Sequence, residues 1–559
     1  MKKAYRSLVP ALLILLANLQ TAPAATIDLF SPEDIRGPHI EELYMVIIRD
    51  PDAQVLALEK GDIDILGDIT RPVDVEKLSR NENIDLSLAQ AFHGFFLGFN
   101  LRKAPWTMQE LRQAAWQAIP REEIVRGLFQ GYAAPLASFL PPASPYYEGN
   151  ILVYPHDMAG AKAWLSEKGW TWTEDNVLIP PGGTSPLGKM KLLSPTAQVA
   201  PTTAELSSRM ASALRELGIP LEVEPMDFAT MLSRIDEHDF DAYVLAWSMT
   251  RDPDSLYAFY HSSMDIEGGY NLPGIHDREL DRVLEDLKWA KDEKSALKAA
   301  SEAQVMLSEK IPVIPVYSRY SIGAVSRKWK GIVKSPVTTG DNLWSLLNME
   351  PVEGGSLPLY WCLSDEPRSL NPFGTSSAYD WQVLGLIYDA MIAIDPFTLE
   401  DIPWLATDWK METIEKDGDR QTLLTFRLRK DIYWQDGEPL TPEDVKFTIE
   451  YLREKAIPRY YDNVSDVLEV TIDPEGDIQV RLDNVSYWYL HNIGGLPVFP
   501  EHIISRVKDW KNWQPSKLPH PSRDDLTQLI GTGPFIFREY RPGEFVRFTK
   551  NDLFWLLKR

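Results

Sequence analysis

The stretch Phe240-Asp-Ala-Tyr-Val-Leu-Ala-Trp247 predicts a buried strand, because it is short and apolar almost throughout. Before it, strand-like and helical patterns alternate: strands at 190–193 and 221–225, and helices at 203–217 and 228–235. Such alternation predicts βαβ units and a parallel sheet. The middle of the chain therefore predicts an α/β fold.

The loop after this strand, Trp247-Ser-Met-Thr-Arg-Asp-Pro-Asp254, is the first candidate binding site. In open α/β sheets, ligands bind at the carboxyl edge of the strands. Trp247 could stack on a ligand there, or be a core aromatic. Arg251 could clamp a carboxylate, or pair with a surface acid. Asp252 or Asp254 could anchor a cation, or mainly shape the turn.

Length and composition limit the possibilities. A chain of 559 residues is too long for one core and predicts two or more lobes. The net charge of −24 would repel phosphate backbones and anionic lipids, so nucleic-acid binding is not expected. Cys362 is the only cysteine, which excludes an intramolecular disulfide and a multi-thiolate zinc site.

The first 25 residues read as a cleavable signal peptide. Lys2, Lys3 and Arg6 precede an apolar stretch at 8–19, and small residues follow at Ala22-Pro-Ala24. An uncleaved membrane anchor is the competing interpretation, but the apolar stretch is short for a spanning helix. We expect an exported, periplasmic protein.

The rest of the chain continues the mixed pattern. A long charged helix is predicted at 288–309, a proline-punctuated extended run at 311–317, and an irregular connection at 331–353. From Ser356 onward the chain becomes rich in strands, with a helix from Pro442 to Arg453. Thr441 can cap that helix. The second half is therefore predicted to be α+β.

Several stretches carry a family resemblance. In the second half they are Glu366-Pro-Arg-Ser-Leu-Asn-Pro372, Trp404-Leu-Ala-Thr-Asp-Trp409, Trp434-Gln-Asp-Gly-Glu-Pro-Leu-Thr-Pro-Glu-Asp-Val445, Pro497-Val-Phe-Pro-Glu-His502 and Gly531-Thr-Gly-Pro-Phe535. In the first half they are Ala57-Leu-Glu-Lys-Gly-Asp-Ile-Asp-Ile65, Phe99-Asn-Leu-Arg-Lys-Ala-Pro-Trp106 and Asp252-Pro-Asp254. With these residues the chain resembles the peptide/nickel/opine class of extracellular solute-binding proteins that serve ABC transporters.

The order of these stretches differs from that of the family. In the family, the stretches found here in the second half of the chain come before those found here in the first half. The simplest account is a circular permutation, which is tolerated where old and new ends lie at exposed loops. A truncated tandem of two binding proteins and an error in the gene sequence are the alternatives.

The resemblance implies a two-lobed fold of the type II periplasmic-binding-protein kind, with a cleft that closes over a ligand. Its implied boundaries are residues 26–90 in lobe I, 91–316 in lobe II, 317–355 returning to lobe I as a linker, and 356–559 in lobe I with an inserted α+β subdomain at about 380–500.

The resemblance also implies a function. The protein would bind peptides between the lobes and present them to a membrane ABC permease by hinge closure, acting as a monomer. Another solute (a nickel chelate, an opine or an oligosaccharide) or a sensory role is the alternative. An exported hydrolase is a weaker one, because no nucleophile or metal motif is found. No cofactor, metal site or catalytic residue is predicted.

The resemblance further implies site residues. Peptide-binding relatives carry an aspartate a few positions after the tryptophan, and it pairs with the ligand's amino terminus. Here Met249 and Thr250 occupy that neighbourhood, so recognition of a free amino terminus is not assured. Further candidates are Trp247, Arg251, Asp252, Tyr270 and Asn271 on one wall and Ser364, Asp365 and Trp381 on the other.

Overall fold

The computed structural model describes residues 35–558, apart from positions 199, 267–268, 376 and 417. The predicted signal peptide at 1–25 lies outside the described residues. Within the described part of the chain, no helix combines the length and apolar character needed to cross a bilayer.

The described residues contain strands in five sheets. In chain order they are β1 (Glu42–Ile47), β2 (Ile65–Leu66), β3 (Ile84–Gln90), β4 (His93–Phe99), β5 (Ala133–Pro135), β6 (Thr171–Trp172), β7 (Leu178–Ile179), β8 (Met190–Pro195), β9 (Leu221–Met226), β10 (Ala242–Ser248), β11 (Val313–Ser326), β12 (Trp329–Lys330), β13 (Glu350–Pro351), β14 (Leu359–Leu363), β15 (Ile392–Ile394), β16 (Asp401–Pro403), β17 (Ala406–Lys416), β18 (Asp419–Leu428), β19 (Val467–Ile472), β20 (Ile478–Leu482), β21 (Phe535–Arg541) and β22 (Phe545–Lys550).

Helices cover the faces of these sheets. They are Pro51–Lys60, Pro72–Ser79, Gln109–Ala118, Arg121–Phe129, Met158–Glu167, Pro201–Leu217, Phe228–Asp236, Ser255–Tyr260, Arg278–Lys288, Glu293–Lys310, Leu343–Asn348, Ala378–Leu384, Pro442–Glu454, Tyr461–Val464, Tyr489–Gly494 and Glu501–Ile504, with short 3-10 turns at Ser262–Met264 and Trp555–Lys558.

Twelve strands form the main sheet, in the order β21-β22-β1-β14-β2-β11-β4-β10-β8-β9, with β3 and β5 also paired to β11. The long strand β11 belongs to both halves of it. Its first residues pair with β4 and β5, and its last residues pair with β3 and β2. We call the part around β21 to β3 lobe I and the part around β4 to β9 lobe II.

The predicted parallel sheet is confirmed in lobe II. Strand β8 runs parallel to both β9 and β10, and the helix Pro201–Leu217 connects β8 to β9. Strand β4 runs antiparallel to β10 and to β11, so the complete sheet is mixed. Pro315 has no N–H for a ladder, and β11 is irregular between Pro315 and Tyr317. The predicted α/β, two-lobed fold is confirmed.

Over residues 35–558, as far as they are described, the chain passes between the lobes twice, and the two crossings lie side by side. Strand β3 ends at Gln90, opposite Tyr320, and the next strand places Phe95 opposite Tyr317. A third, non-covalent connection is made by residues 486–491, which we call the anchor segment. Within it, the Tyr487 N–H donates to the Ala290 carbonyl at 2.6 Å.

Lobe I is assembled from both ends of the described chain. Strand β1 lies between β14, to which it is parallel, and β22, to which it is antiparallel. The Lys550 N–H donates to the Glu41 carbonyl at 3.0 Å. Ile35, Phe554 and Trp555 are buried in one common apolar core. The first and last described segments therefore meet in space.

The second half contains the predicted α+β part. A four-stranded antiparallel sheet, β17-β18-β20-β19, packs against the helix Pro442–Glu454. The carboxylate of Asp444 accepts hydrogen bonds from the Thr441 N–H at 2.9 Å and from its hydroxyl at 3.0 Å. Thr441 occupies the N-cap position of this helix, as the sequence predicted.

One local prediction was confirmed with a later start, and another was wrong. The helix predicted at 288–309 is the helix Glu293–Lys310, which begins after Asp292 because Asp292 caps it and accepts the Ser295 N–H at 2.8 Å. The connection read as irregular at 331–353 contains the helix Leu343–Asn348. Asn342 caps it by accepting the Ser345 N–H at 2.9 Å, a local signal that the sequence does carry.

Candidate functional site

A cavity of about 640 Å³ lies between the two lobes. Lobe II contributes the loop after β10, and lobe I contributes a helix and the region from Tyr388 to Gly495. The lining residues are Phe92, Met249, Thr250, Arg251, Asp252, Leu343, Trp344, Tyr388, Asp389, Ala390, Ile392, Ala393, Ile394, Leu399, Asp401, Trp404, His491 and Gly495. Four of the predicted site residues, Met249 to Asp252, are therefore together at the cavity.

The loop is positioned by bonds to its own lobe. The Met249 N–H donates to the Phe92 carbonyl at 2.8 Å, which ties the loop to the first interlobe crossing. The Ser144 hydroxyl donates to the Arg251 carbonyl at 2.8 Å. The short helix Ser255–Tyr260 follows at once and ends the loop. Residues 249–252 are thus held at the carboxyl end of a central strand, as the sequence predicted.

Charged groups bridge the cavity from one lobe to the other. The Arg251 guanidinium pairs with the Asp401 carboxylate and also donates to the Leu399 carbonyl. His491 lies between the two acids, with Nδ1 3.0 Å from Asp252 Oδ2 and Nε2 2.8 Å from Asp401 Oδ2. We call Arg251, Asp252, Asp401 and His491 the charge bridge.

The charge bridge shifts the pKa values of His491 and Asp401. Burial by itself would lower the pKa of His491, but the hydrogen bonds and charges of Asp252 and Asp401 raise that pKa to about 9. Burial would raise the pKa of Asp401, but His491 and Arg251 hold it below its ordinary value. At neutral pH His491 is therefore a cation and Asp401 an anion.

These shifts predict a dependence of stability on pH. Because the pKa of His491 rises from 6.5 to about 9 on folding, its contribution is complete below pH 6.5 and is lost between about pH 6.5 and 9. We expect a loss on the order of 2 kcal/mol across that window. Thermal unfolding followed from pH 6 to pH 10 measures it. The variant His491→Gln should lack this decline, and an identical decline in both proteins would contradict the assignment.

Two predicted aromatic residues lie beside the cavity rather than in its wall. The Trp247 ring is half-buried and contacts the rings of Phe259 and Tyr270, with centroids 4.7 and 5.9 Å away. Tyr270 is 55% exposed. Trp247 and Tyr270 are therefore brought together on lobe II as one aromatic cluster.

Asn271 has a different environment from its neighbour Tyr270. It is 1% exposed, and its amide donates to the carbonyls of His261 and Ile275 at 3.1 and 3.0 Å. Its oxygen accepts the N–H groups of Gly274 and Ile275. These bonds fold the loop around residues 261–275.

Replacing Asn271 by alanine is expected to lower the free energy of unfolding by about 2 kcal/mol, because four buried hydrogen bonds are lost. Chemical denaturation measures this change. The exposed neighbour offers a matched control, and Tyr270→Ala should change the free energy by no more than about 0.5 kcal/mol. Equal losses would show that the bonds of Asn271 are not what holds the loop.

The residues predicted for the opposite wall do not line the cavity. Ser364 and Asp365 follow β14, and Asp365 pairs with Arg49 at 2.8 Å. The Trp381 ring lies under the guanidinium of Arg459, 4.2 Å from the ring centroid. All three lie on lobe I, but other residues of lobe I form its side of the cavity wall.

Most of the lobe I wall is formed by residues that the sequence did not predict. Trp344 and Trp404 contact each other edge to face, with centroids 5.3 Å apart. Asp389 is buried and accepts from the indole N–H of Trp404 at 2.8 Å and from the Thr532 hydroxyl at 2.7 Å. Burial raises the pKa of Asp389 to about 6. Trp404 lies in a stretch that carried the family resemblance, which is the only signal that could have pointed here.

One group of potential metal ligands occurs among the described residues: Asp436, His502 and His520. Asp436 Oδ2 lies 2.7 Å from Nε2 of His502 and 2.8 Å from Nε2 of His520. Nδ1 of His520 accepts the Ser522 N–H at 3.2 Å, which places the His520 proton on Nε2, facing the acid. These contacts describe a hydrogen-bonded group in lobe I.

The chain is similar in sequence to known bacterial binding proteins. Residues 34–266 and 400–559 match the family described as bacterial extracellular solute-binding proteins, family 5 Middle. A di/tripeptide-binding protein 1 of Pseudomonas aeruginosa is 22% identical over 52% of this chain and 51% of its own length. A heme-binding protein A of Haemophilus influenzae is 23% identical over 53% of this chain and 52% of its own length.

Among solved structures, an oligopeptide-binding protein AppA of Bacillus subtilis in complex with a nonapeptide aligns with a TM-score of 0.45 at 22% identity. The alignment covers 55% of this chain and 59% of that one. The chain thus spans about half the length of the curated relatives that it matches.

Proposed function

Because the chain belongs to the bacterial extracellular solute-binding proteins, family 5, we propose that it is the binding protein of an ABC importer. It binds peptides in the cavity between the lobes and presents them to the membrane permease when the lobes close. It acts as a periplasmic monomer and carries out no catalysis itself.

The observation that carries this proposal is the position of the cavity. Its walls come from both lobes, and within the described part of the chain two side-by-side crossings join the lobes covalently. A ligand that touches both walls stabilises the closed form by the difference between its affinities for the closed and open forms. Closure then reports occupancy to a partner. The cavity of about 640 Å³ also lies in the range of small-molecule sites.

The proposal predicts retention of intact peptides. Purified protein is incubated with a mixture of dipeptides and tripeptides, and bound species are identified by native mass spectrometry. Ala393 lines the cavity, so Ala393→Trp should block retention. Ala53 is exposed on a distant helix, and Ala53→Trp should not. Failure of the unmodified protein to retain any peptide, or turnover of the peptides, would overturn the proposal.

We also propose that the order of the chain is a circular permutation of the family's order. What supports it is the placement of β1 between β14 and β22, which joins the first and last described segments in one sheet. A gene rearranged to begin at residue 356, with a short linker from 558 to 35, should give a protein with the same peptide affinity. A rearranged protein that does not fold would contradict this account.

A further inference from the structure

A second, smaller cavity of about 80 Å³ lies against the two crossings between the lobes. Ala91 and His93 line it at the first crossing, and residues 319–322 line it at the second. Asp68, which follows β2, contributes to it from lobe I. The smaller cavity shares no lining residue with the larger one, which Phe92 lines between Ala91 and His93.

Arg319 brings a positive charge to the smaller cavity. Its Nε donates to His93 Nε2 at 3.2 Å, and the central carbon of its guanidinium lies 5.9 Å from the centroid of the Phe95 ring. Among the described residues, no carboxylate oxygen lies within 4 Å of this guanidinium, and its two terminal nitrogens make no hydrogen bond. Burial and then the charge of Arg319 lower the pKa of His93 to about 4. His93 is therefore neutral at pH 7, and Arg319 is the cation on this side of the cavity.

Asp68 is the matching negative charge on lobe I. Its carboxylate makes no hydrogen bond and no ion pair with the described residues. Its backbone has a φ of 48°, a left-handed conformation that is strained for residues other than glycine and is found at functional sites. Asp68 is solvent-exposed, yet the surrounding walls desolvate its carboxyl group enough to raise its pKa, and the charge of Arg319 opposes that rise. The two charges thus interact across the cavity without contact.

A second acid, Asp341, is close to Asp68. Its Oδ1 atom is buried and has no hydrogen-bond partner among the described residues. Burial raises the pKa of Asp341, and the charge of Asp68 adds to that rise. A cation beside Asp68 would therefore stabilise the ionised form of both carboxyl groups.

We infer that the smaller cavity binds the zwitterionic head group of an α-amino acid, with its carboxylate on the guanidinium of Arg319 and its ammonium group on the carboxylate of Asp68. The two side chains are too far apart for an ion pair, so a group that carries both opposite charges on one carbon atom fits between them. A guanidinium holds a carboxylate through two parallel hydrogen bonds. A cavity of about 80 Å³ has room for two or three water molecules, or for a group of that size.

Such a ligand joins the two lobes beside their crossings. Asp68 belongs to lobe I, whereas Arg319 lies where β11 pairs with β5 of lobe II. The site is separate from the cavity proposed for peptides, so an amino acid here would be a second ligand that favours closure of the same lobes.

The test compares three small probes at pH 7 by isothermal titration calorimetry: glycine, glycinamide, which lacks the carboxylate, and N-acetylglycine, which lacks the ammonium group. We expect glycine to bind at least about tenfold more tightly than either analogue, because each analogue loses one charge-assisted hydrogen-bonded contact. Absence of glycine binding, or equal binding of either analogue, would overturn this inference. Neither result bears on the retention of peptides in the larger cavity.

Variants assign the binding to the smaller cavity. Arg319→Gln and Asp68→Asn should each weaken glycine binding at least about tenfold, and thermal unfolding checks that both proteins stay folded. Asp62 is an exposed aspartate of the same segment, and Asp62→Asn should bind glycine like the unmodified protein. Ala393→Trp, which fills the larger cavity, should also leave glycine binding unchanged. Loss of glycine binding in Ala393→Trp, with binding retained in Arg319→Gln, would place the amino acid in the larger cavity and overturn the inference.

Discussion

Replacing Trp488 by alanine is expected to lower the free energy of unfolding by about 3–5 kcal/mol, as for other buried tryptophans. Trp488 belongs to the anchor segment of the α+β part but is 2% exposed inside the core of lobe II. Its indole N–H donates to the Leu287 carbonyl at 2.7 Å, and its ring meets that of Tyr146 edge to face at 5.4 Å. The substitution removes both contacts and leaves a cavity.

The same change should loosen the contact between the lobes. Leu287 and Lys288 end the helix Arg278–Lys288, and their carbonyls accept from Trp488 and from the Ser486 hydroxyl. These carbonyls belong to the last turn of the helix, where carbonyl groups have no N–H donors within the helix itself. The anchor segment thus supplies hydrogen-bond donors from the α+β part to the carbonyls at the C-terminal end of a lobe II helix.

Differential scanning calorimetry measures both effects. We expect the Trp488→Ala protein to melt at a lower temperature and in two separated steps, as the lobes become less coupled. Trp289 is 37% exposed at the end of the same helix, and Trp289→Ala should cost no more than about 1 kcal/mol. Equal losses from the two substitutions would show that the anchor does not depend on burial of Trp488.

The architecture could be predicted from the sequence where the signals are local. From Met190 to Trp247, the spacing of apolar residues within each short segment indicates whether that segment is a strand or a helix. Strands β8, β9 and β10 run parallel, as this pattern predicted. The cap at Thr441 is also a local signal. The loop 249–252 followed from the rule that ligands bind at the carboxyl edge of such strands.

The charge bridge could not be predicted in the same way. Arg251 and Asp401 are 150 positions apart, and neither residue type distinguishes a buried pair from a solvated one. His491 comes from a third segment. Their meeting depends on how the α+β part docks on lobe II, which no periodicity encodes. Asn271 differs in that the sequence predicted it as a site residue beside Tyr270. Its amide instead forms hydrogen bonds with the backbone of its own loop.

Replacing Asp401 by asparagine is expected to lower the free energy of unfolding at pH 7 by about 3 kcal/mol. Asp401 contacts both cations of the charge bridge, and its side chain is 11% exposed. The isosteric amide leaves Arg251 and His491 with Asp252 as their one anion. A buried cation without its counter-charge is strongly unfavourable, whereas an intact buried pair contributes little net stability.

Chemical denaturation and small-angle X-ray scattering check this prediction together. We expect the unliganded Asp401→Asn protein to be less stable and more extended, because the bridge that spans the two lobes is broken. Asp408 is exposed on β17, and Asp408→Asn should behave like the unmodified protein. If the two variants cannot be told apart, the bridge does not hold the lobes.

A double variant separates loss of attraction from the cost of an unpaired charge. In Arg251→Met with Asp401→Asn, the unpaired guanidinium is gone, so part of the stability lost in the single variant should return. The remaining pair of His491 and Asp252 still joins the lobes, with Nδ1 and Oδ2 3.0 Å apart. The double variant should therefore be more stable than Asp401→Asn.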